Sequence, residues 1–255
     1  MKYIASCSFG KDSIATILLA REHNEPLDEI VYCEVMFDKD TSGEPPEHRD
    51  FIYNVAIPKF EEWGYKVTVL RAEKTYMDVF YNVVKSPRKH MDRKGKFSGF
   101  AMSGKCNVQR DCKLKPIKNY WGKQAKDVVQ YIGIAVDEPK RLKRIVETEG
   151  KISLLEKYGY TEEMAKQKCI EYGLLSPIYE YTKRGGCWFC PNARDGELRH
   201  LFKTHKELWS KLLELEDVPN KVGNIWNTLT KTSIHDKNNQ FLLEETQMTL
   251  GQEVF

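Results

Sequence analysis

The chain has 255 residues, of which 41% are hydrophobic and 30% charged. That is long enough to bury a core without disulfides or metals, and it excludes the disordered and membrane-spanning classes. Lys and Arg number 40 against 37 Asp and Glu, a net charge of +3, which is too balanced for nucleic-acid binding by a basic face, so any basic contact must be local.

The first residues do not read as a signal peptide, and no apolar run reaches bilayer length, so the expectation is a cytoplasmic protein without a membrane partner. In that reducing setting the seven cysteines are expected as buried thiols, metal ligands or catalytic groups. Nothing in the composition sets the oligomeric state.

In chain order, Lys2 to Ser6 predicts a strand, Ser13 to Glu22 a helix, and Glu29 to Met36 a second strand. A Pro/Gly-rich loop precedes a helical stretch from Glu47 to Trp63, which Pro58 should kink or divide. Lys66 to Ala72 predicts a third strand and Thr75 to Val84 a helix capped by Thr75. The basic stretch that follows, SPRKHMDRKGKFSGFAMSGK, reads as a long loop. Leu114 to Gln124 suits a helix, Val128 to Val136 a buried strand, and DEPKRLKRI a helix with Pro139 in its first turn. Thr161 to Tyr172 and Glu197 to Glu216 are further helices, and residues 220–255 carry no strong pattern.

This alternation predicts an α/β fold with a doubly wound, mostly parallel sheet over residues 1–140. A helical, cysteine-bearing C-terminal region is expected over 141–255.

Ser8 to Ser13, S-F-G-K-D-S, joins the first strand to the first helix, where backbone amides and the helix dipole favour a phosphate. Gly10 permits close backbone approach, Lys11 brings positive charge, and the Ser8 and Ser13 hydroxyls can donate. Asp12 suits such a site if it fixes the loop or acts through a metal ion. The alternative is an ordinary polar turn with a serine cap. The spacing is too short for a Walker A loop.

The segment resembles the pyrophosphate loop, S-G-G-x-D-S, of the ATP pyrophosphatase (adenine nucleotide α-hydrolase-like) superfamily, with Phe9 replacing the first glycine. S-F-G is similar to the sulfonucleotide reductase branch, and K-D-S to members that split ATP between its α and β phosphates. The resemblance implies a nucleotide held by Ser8, Phe9, Gly10, Lys11, Asp12 and Ser13, either ATP with magnesium or an adenylyl sulfate. It also implies that Asp38, after the second strand, contacts or covers the adenosine; an exposed acidic turn is the alternative.

Cys187 and Cys190 form a C-x-x-C knuckle behind two glycines, and Cys106 and Cys112 form a second pair. Four thiolates suffice for tetrahedral zinc or an iron–sulfur cluster, and a separate redox pair at Cys187 and Cys190 is the alternative. Cys7, Cys33 and Cys169 lie among apolar neighbours and are expected in the core.

D-C-K-L-K-P-I (Asp111 to Ile117) and G-C-W-F-C resemble the cysteine segments of the phosphoadenylyl sulfate reductase family, and the likeness covers about residues 1 to 195. It implies a 4Fe-4S cluster beside the nucleotide, but Asp111 stands where the first of a tandem cysteine pair would be. Cys106 would supply the missing ligand, and zinc then competes. No cysteine follows Cys190, so the nucleophilic thiol of a complete reductase is missing unless Cys7 replaces it.

Arg110 and Lys113 flank the second pair, and the resemblance implies that they position a second substrate. Arg88, Lys89, Arg93, Lys94 and Lys96, with Phe97 and Phe100, suit a phosphate-rich substrate or an RNA strand, or else a solvated loop. The function implied is adenylation of a small-molecule or RNA acceptor, with catalytic Lys11, Asp12, Arg110 and Lys113. The alternatives are a thiol-dependent reductase served by a thioredoxin-like reductant, and an inactive nucleotide sensor.

Overall fold

The computed structural model describes residues 1–101, 106–122, 127–146, 148–227 and 229–252. The chain divides into two compact units, each assembled from three segments. The first comprises Met1–Val35, Glu44–Glu73 and Lys113–Gly185, and the second Met36–Gly43, Lys74–Cys112 and Gly186–Phe255. The division is therefore not a cut near residue 140.

The first unit is built on five parallel strands: β1 (Lys2–Cys7), β2 (Glu29–Glu34), β3 (Lys66–Arg71), β5 (Val128–Ile132) and the short β6 (Lys151–Ile152). Their order is β3-β2-β1-β5-β6, so the direction of winding reverses between β1 and β5. Such a reversal opens a crevice at the carboxyl ends of the strands.

Alternate residues of the central strands feed the two faces. Ala5, Cys7, Ile30, Tyr32, Val129 and Tyr131 pack with α1 (Lys11–Glu22) and α8 (Glu162–Glu171) on one side. Ile4, Val31 and Val128 pack on the other with Trp121 of α5 (Lys115–Trp121). Strands covered on both faces are continuous apolar runs, which is why they are readable in sequence. The stretch expected as one helix from residue 47 is α2 (Pro46–Phe51), a π-helical turn (Ile52–Ala56) and α3 (Ile57–Glu62). The wider turn accommodates Pro58, which lacks an amide hydrogen and crowds the preceding turn.

Glu29, at the start of β2, is fully buried. It accepts hydrogen bonds from Lys2, Thr68, Lys66 (2.9 Å) and Tyr120 (2.7 Å). Burial raises its pKa, but these bonds outweigh it and hold the carboxyl down at about 2, against an ordinary 4.5. The lowered pKa stabilises the fold fully above about pH 4.5, and the contribution is lost as pH falls through 4.5 towards 2. The difference amounts to at most about 3 kcal/mol, reduced by water around Lys2 and Lys66. Chemical denaturation at neutral pH and near pH 2 should show wild type losing more stability across this window than Glu29→Gln. Equal losses would contradict this account.

The second unit holds α4 (Tyr76–Phe80), β4 (Phe97–Gly99), α9 (Asp195–Thr204), α10 (Lys206–Asp217), β7 (Lys221–Gly223) and α11 (Ile234–Gln252). The expected single helix over 197–216 is two, broken at His205, whose φ of −127° and ψ of 63° leave the helical region. The stretch beyond residue 220, patternless in sequence, holds β7 and α11. Among the described residues no helix is long and apolar enough to cross a membrane.

Candidate functional site

The 8–13 loop lies where the sheet order reverses, with Gly10 at the N-cap of α1. Phe9 takes φ = 55° and is fully buried, its ring 6.0 Å from Phe60 and edge-on to Tyr32 at 5.1 Å. Its side chain therefore belongs to the core, and only its backbone is left to face a ligand.

The loop is tied by its serines. Ser13 donates from Oγ to the Gly10 carbonyl (2.9 Å), accepts from the Ser8 amide (3.2 Å) and stands 3.4 Å from Ser8 Oγ. Behind it, the residue after β5 must be glycine. A Cβ on Gly133 would stand 2.6 Å from the Asp12 carbonyl carbon and oxygen and 2.7 Å from the Ser13 nitrogen.

Lys11 is 6% exposed and its ammonium bridges Asp12 (2.8 Å) and Glu162 (2.7 Å). Burial lowers its pKa, but the two carboxylates outweigh it and leave the pKa raised, so Lys11 is charged. Burial raises the pKa of Asp12, opposed by Lys11 and reinforced by the charges of Glu162 and Glu138. One oxygen of Glu138, Oε2, is buried without a hydrogen-bond partner.

The Lys11 amide donates to the Tyr179 hydroxyl oxygen (2.8 Å). Burial raises the Tyr179 pKa, so the phenol keeps its proton. Having accepted one bond, it still has that proton to donate. His48 is 1% exposed, and burial lowers its pKa, leaving it neutral at pH 7. Its Nε2 must donate to the Ser8 carbonyl (3.2 Å), so Nδ1 accepts from Ser176 (2.8 Å) and the tautomer is fixed.

His48, Glu162, Tyr179 and Gly133 were all missed in the sequence. They lie far along the chain from the loop, and none stands in a local motif.

The other expected residues are distributed between the units. Lys113 belongs to the first, where its charge lowers the pKa values of Cys7, Cys33 and His48. Arg110 belongs to the second, exposed and forked onto Asp111 at 2.8 and 2.7 Å. Asp38 is also in the second unit. Its carboxylate accepts the Asp40 and Thr41 amides and pairs with Lys211 (3.1 Å). Asp38 thus shapes its own turn, and neither it nor Arg110 shares a compact unit with the loop.

Cys7 is 3% exposed, and burial pushes its thiol up to about 11. A thiol held protonated is a poor nucleophile, so the setting of Cys7 does not favour the role of the missing reductase cysteine. Burial likewise raises Cys33 to about 11 and Cys169 to about 12.

Both candidate metal-ligating cysteine pairs lie in the second unit. The Cys190 amide donates to the Cys187 carbonyl (3.0 Å), turning the knuckle, and the Trp188 indole donates to the Ser42 carbonyl (2.9 Å). Phe189 stacks on Tyr76 at 4.1 Å. The Tyr76 hydroxyl is buried without a hydrogen-bond partner, and its pKa is raised by burial and then by Cys106, Cys187 and Cys190. The charges of three thiols thus reach one buried phenol, and Cys112 is fully buried in the same unit. His200 and His205, which show no recognisable ligand spacing, bring their ring nitrogens within 4.8 Å.

No family model, no curated protein and no solved structure matches the chain.

Proposed function

We propose that the first unit binds an adenine nucleotide through the 8–13 loop and transfers its adenylyl group, splitting ATP to AMP and pyrophosphate. The observation carrying this reading is a buried, charged lysine at the first turn of α1, where the sheet order reverses. The likeness of S-F-G-K-D-S to the pyrophosphate loop of the phosphoadenylyl sulfate reductase-like family supports it.

In this reading the Lys11 ammonium and Ser8 hold the leaving pyrophosphate at the start of α1, Ser13 holds the shape of the loop, and the Tyr179 hydroxyl donates a further hydrogen bond. An acceptor oxygen forms a bond to the α-phosphorus as the bond to the α,β-bridging oxygen breaks. The electron pair leaves on pyrophosphate, where Lys11 offsets the developing charge, and AMP is freed afterwards when a sulfur or nitrogen nucleophile displaces it from the adenylated acceptor. His48 keeps the Ser8 carbonyl directed away from the phosphates.

Asp12 and Glu162, the carboxylates on Lys11, would together with the phosphates hold a magnesium ion there. It would supply charge neutralisation for the phosphates. In the second unit Cys106, Cys112, Cys187 and Cys190 would hold zinc or a 4Fe-4S cluster. Soft thiolates suit either, and the orphaned Tyr76 hydroxyl is a ready donor to sulfur.

Calorimetry on anaerobically purified protein tests the proposal, comparing magnesium-ATP with adenylyl sulfate and its 3′-phosphorylated form. Tighter binding of ATP, with AMP and pyrophosphate released on adding an acceptor, is expected. Tighter binding of an adenylyl sulfate would favour a reductase. ATP binding without turnover for any acceptor would favour a sensor.

A further inference from the structure

Of the basic stretch expected as a loop, residues 102–105 lie outside the described residues, and the part up to residue 99 forms an arm in the second unit. Asn82–Val84 runs antiparallel to Gly95–Ser98: Val84 donates to the Lys96 carbonyl, Gly95 to Val84 and Ser98 to Asn82, each at 2.9 Å. The base is anchored because Phe97 and Gly99 of β4 pair with Lys221 and Gly223 of β7. At its far end His90, at φ = 63°, leads into a single 3-10 turn over Met91–Arg93.

Residues 85–96 of this arm carry Lys85, Arg88, Lys89, Arg93, Lys94 and Lys96 against one acid, Asp92. The arm's net charge is thus +5 in a chain of +3, and the remainder is slightly acidic. Among the described residues none of the six cations makes an ion pair or a side-chain hydrogen bond, although surface cations elsewhere in the unit, such as Lys211 and Lys237, are paired. Six like charges within twelve residues repel one another, and among the described residues only Asp92 within the arm offsets that repulsion.

The foot of the arm adds a second observation. Asn82 and Ser98, one from each side, line a cleft of about 140 Å³ together with Lys74, Asp78, Asn107 and Arg110. That is several times the ~30 Å³ share of a water molecule, and its walls offer amide and hydroxyl groups beside two cations balanced by two carboxylates, Asp78 and Asp111, so the cleft suits a neutral hydrogen-bonding base and not a phosphate. Tyr81, 39% exposed, stands at the same foot with its ring edge-on to Phe97 at 5.3 Å.

We infer that this arm and cleft bind single-stranded nucleic acid: the arm's cations follow the phosphates, Tyr81 offers a stacking face, and the cleft admits a base. A flexible strand can unstack a base into such a cleft, as a duplex cannot without disruption. An anionic membrane would use the charge but not the hydrogen-bonding cleft, and Met91 is the only large apolar residue exposed between residues 85 and 96. The inference is independent of the nucleotide assigned to the 8–13 loop.

Fluorescence anisotropy with labelled single-stranded RNA and DNA of about 20 nucleotides tests it over a range of salt. The full chain should bind one or both. The triple variant Lys85→Ala, Arg88→Ala, Lys89→Ala should weaken binding by about tenfold or more and reduce the salt slope by about 2. Arginine at the two lysine positions should retain binding, and Lys140→Ala with Lys143→Ala on α6 (Pro139–Val146) should leave it unchanged. Asn82→Ala should weaken binding with the salt slope preserved, because it removes a cleft contact and not a charge. The inference is overturned if no strand binds, if the triple variant binds as wild type does, or if vesicles containing phosphatidylserine bind more tightly than either strand.

Discussion

Replacing Lys11 with alanine is expected to lower pyrophosphate release by about 10²–10³-fold, the usual cost of removing one well-placed group that stabilises transition-state charge. The size follows from its setting. The ammonium is 6% exposed, and its position is fixed by two carboxylates at 2.8 and 2.7 Å. In the variant Asp12 and Glu162 would face the phosphates without that cation, so nucleotide affinity should fall as well as turnover. Stability should fall by only about 1–2 kcal/mol, because Asp12 and Glu162 both reach water and neither becomes an isolated buried charge. A pyrophosphate assay beside a urea titration separates the two effects. Undiminished release from folded Lys11→Ala protein would remove Lys11 from the reaction.

Gly133→Ala should be nearly as damaging without removing any polar side chain. Its new methyl would press on Asp12 and Ser13 at 2.6–2.7 Å, and every atom it meets there is backbone. The first turn of α1 must therefore move away from β5. Overpacking of this kind costs about 1–3 kcal/mol, and a displacement near 1 Å at a reacting group can cost about 10²-fold in rate. The same exchange at Gly185, where a Cβ meets nothing within 4 Å, is the control and should be silent. Binding of magnesium-ATP measured for both variants checks the prediction; equal affinities would show that the loop tolerates the shift.

The strands and the first helix were legible because local pattern decides them. Ile30 to Cys33 are buried on both sides of the sheet, and an unbroken apolar run follows. The 8–13 segment stood out as a motif joining β1 to α1. Its supports did not, because Glu162 lies 151 residues from Lys11 and Tyr179 lies 168 residues away. The two-unit division was equally hidden: Met36–Gly43 leaves the first unit directly after β2, and no change in composition marks the crossing. The break at His205 escaped notice because the apolar spacing of α9 continues into α10, with Leu201, Phe202, Trp209 and Leu212 all buried. Arg110 and Lys113, three apart in sequence, fall in different units.

The arrangement of Phe9 has a consequence for how the loop behaves in time. A non-glycine residue at φ = 55° is strained by roughly 1–2 kcal/mol, and only the packing of its ring against Phe60 and Tyr32 holds it there. The loop cannot relax to another shape unless that ring leaves the core, so it has no cheap open state of its own. Its amides should exchange with solvent only when the first unit unfolds as a whole. Shortening Phe60, whose ring packs 6.0 Å from that of Phe9, should then loosen the loop through the core.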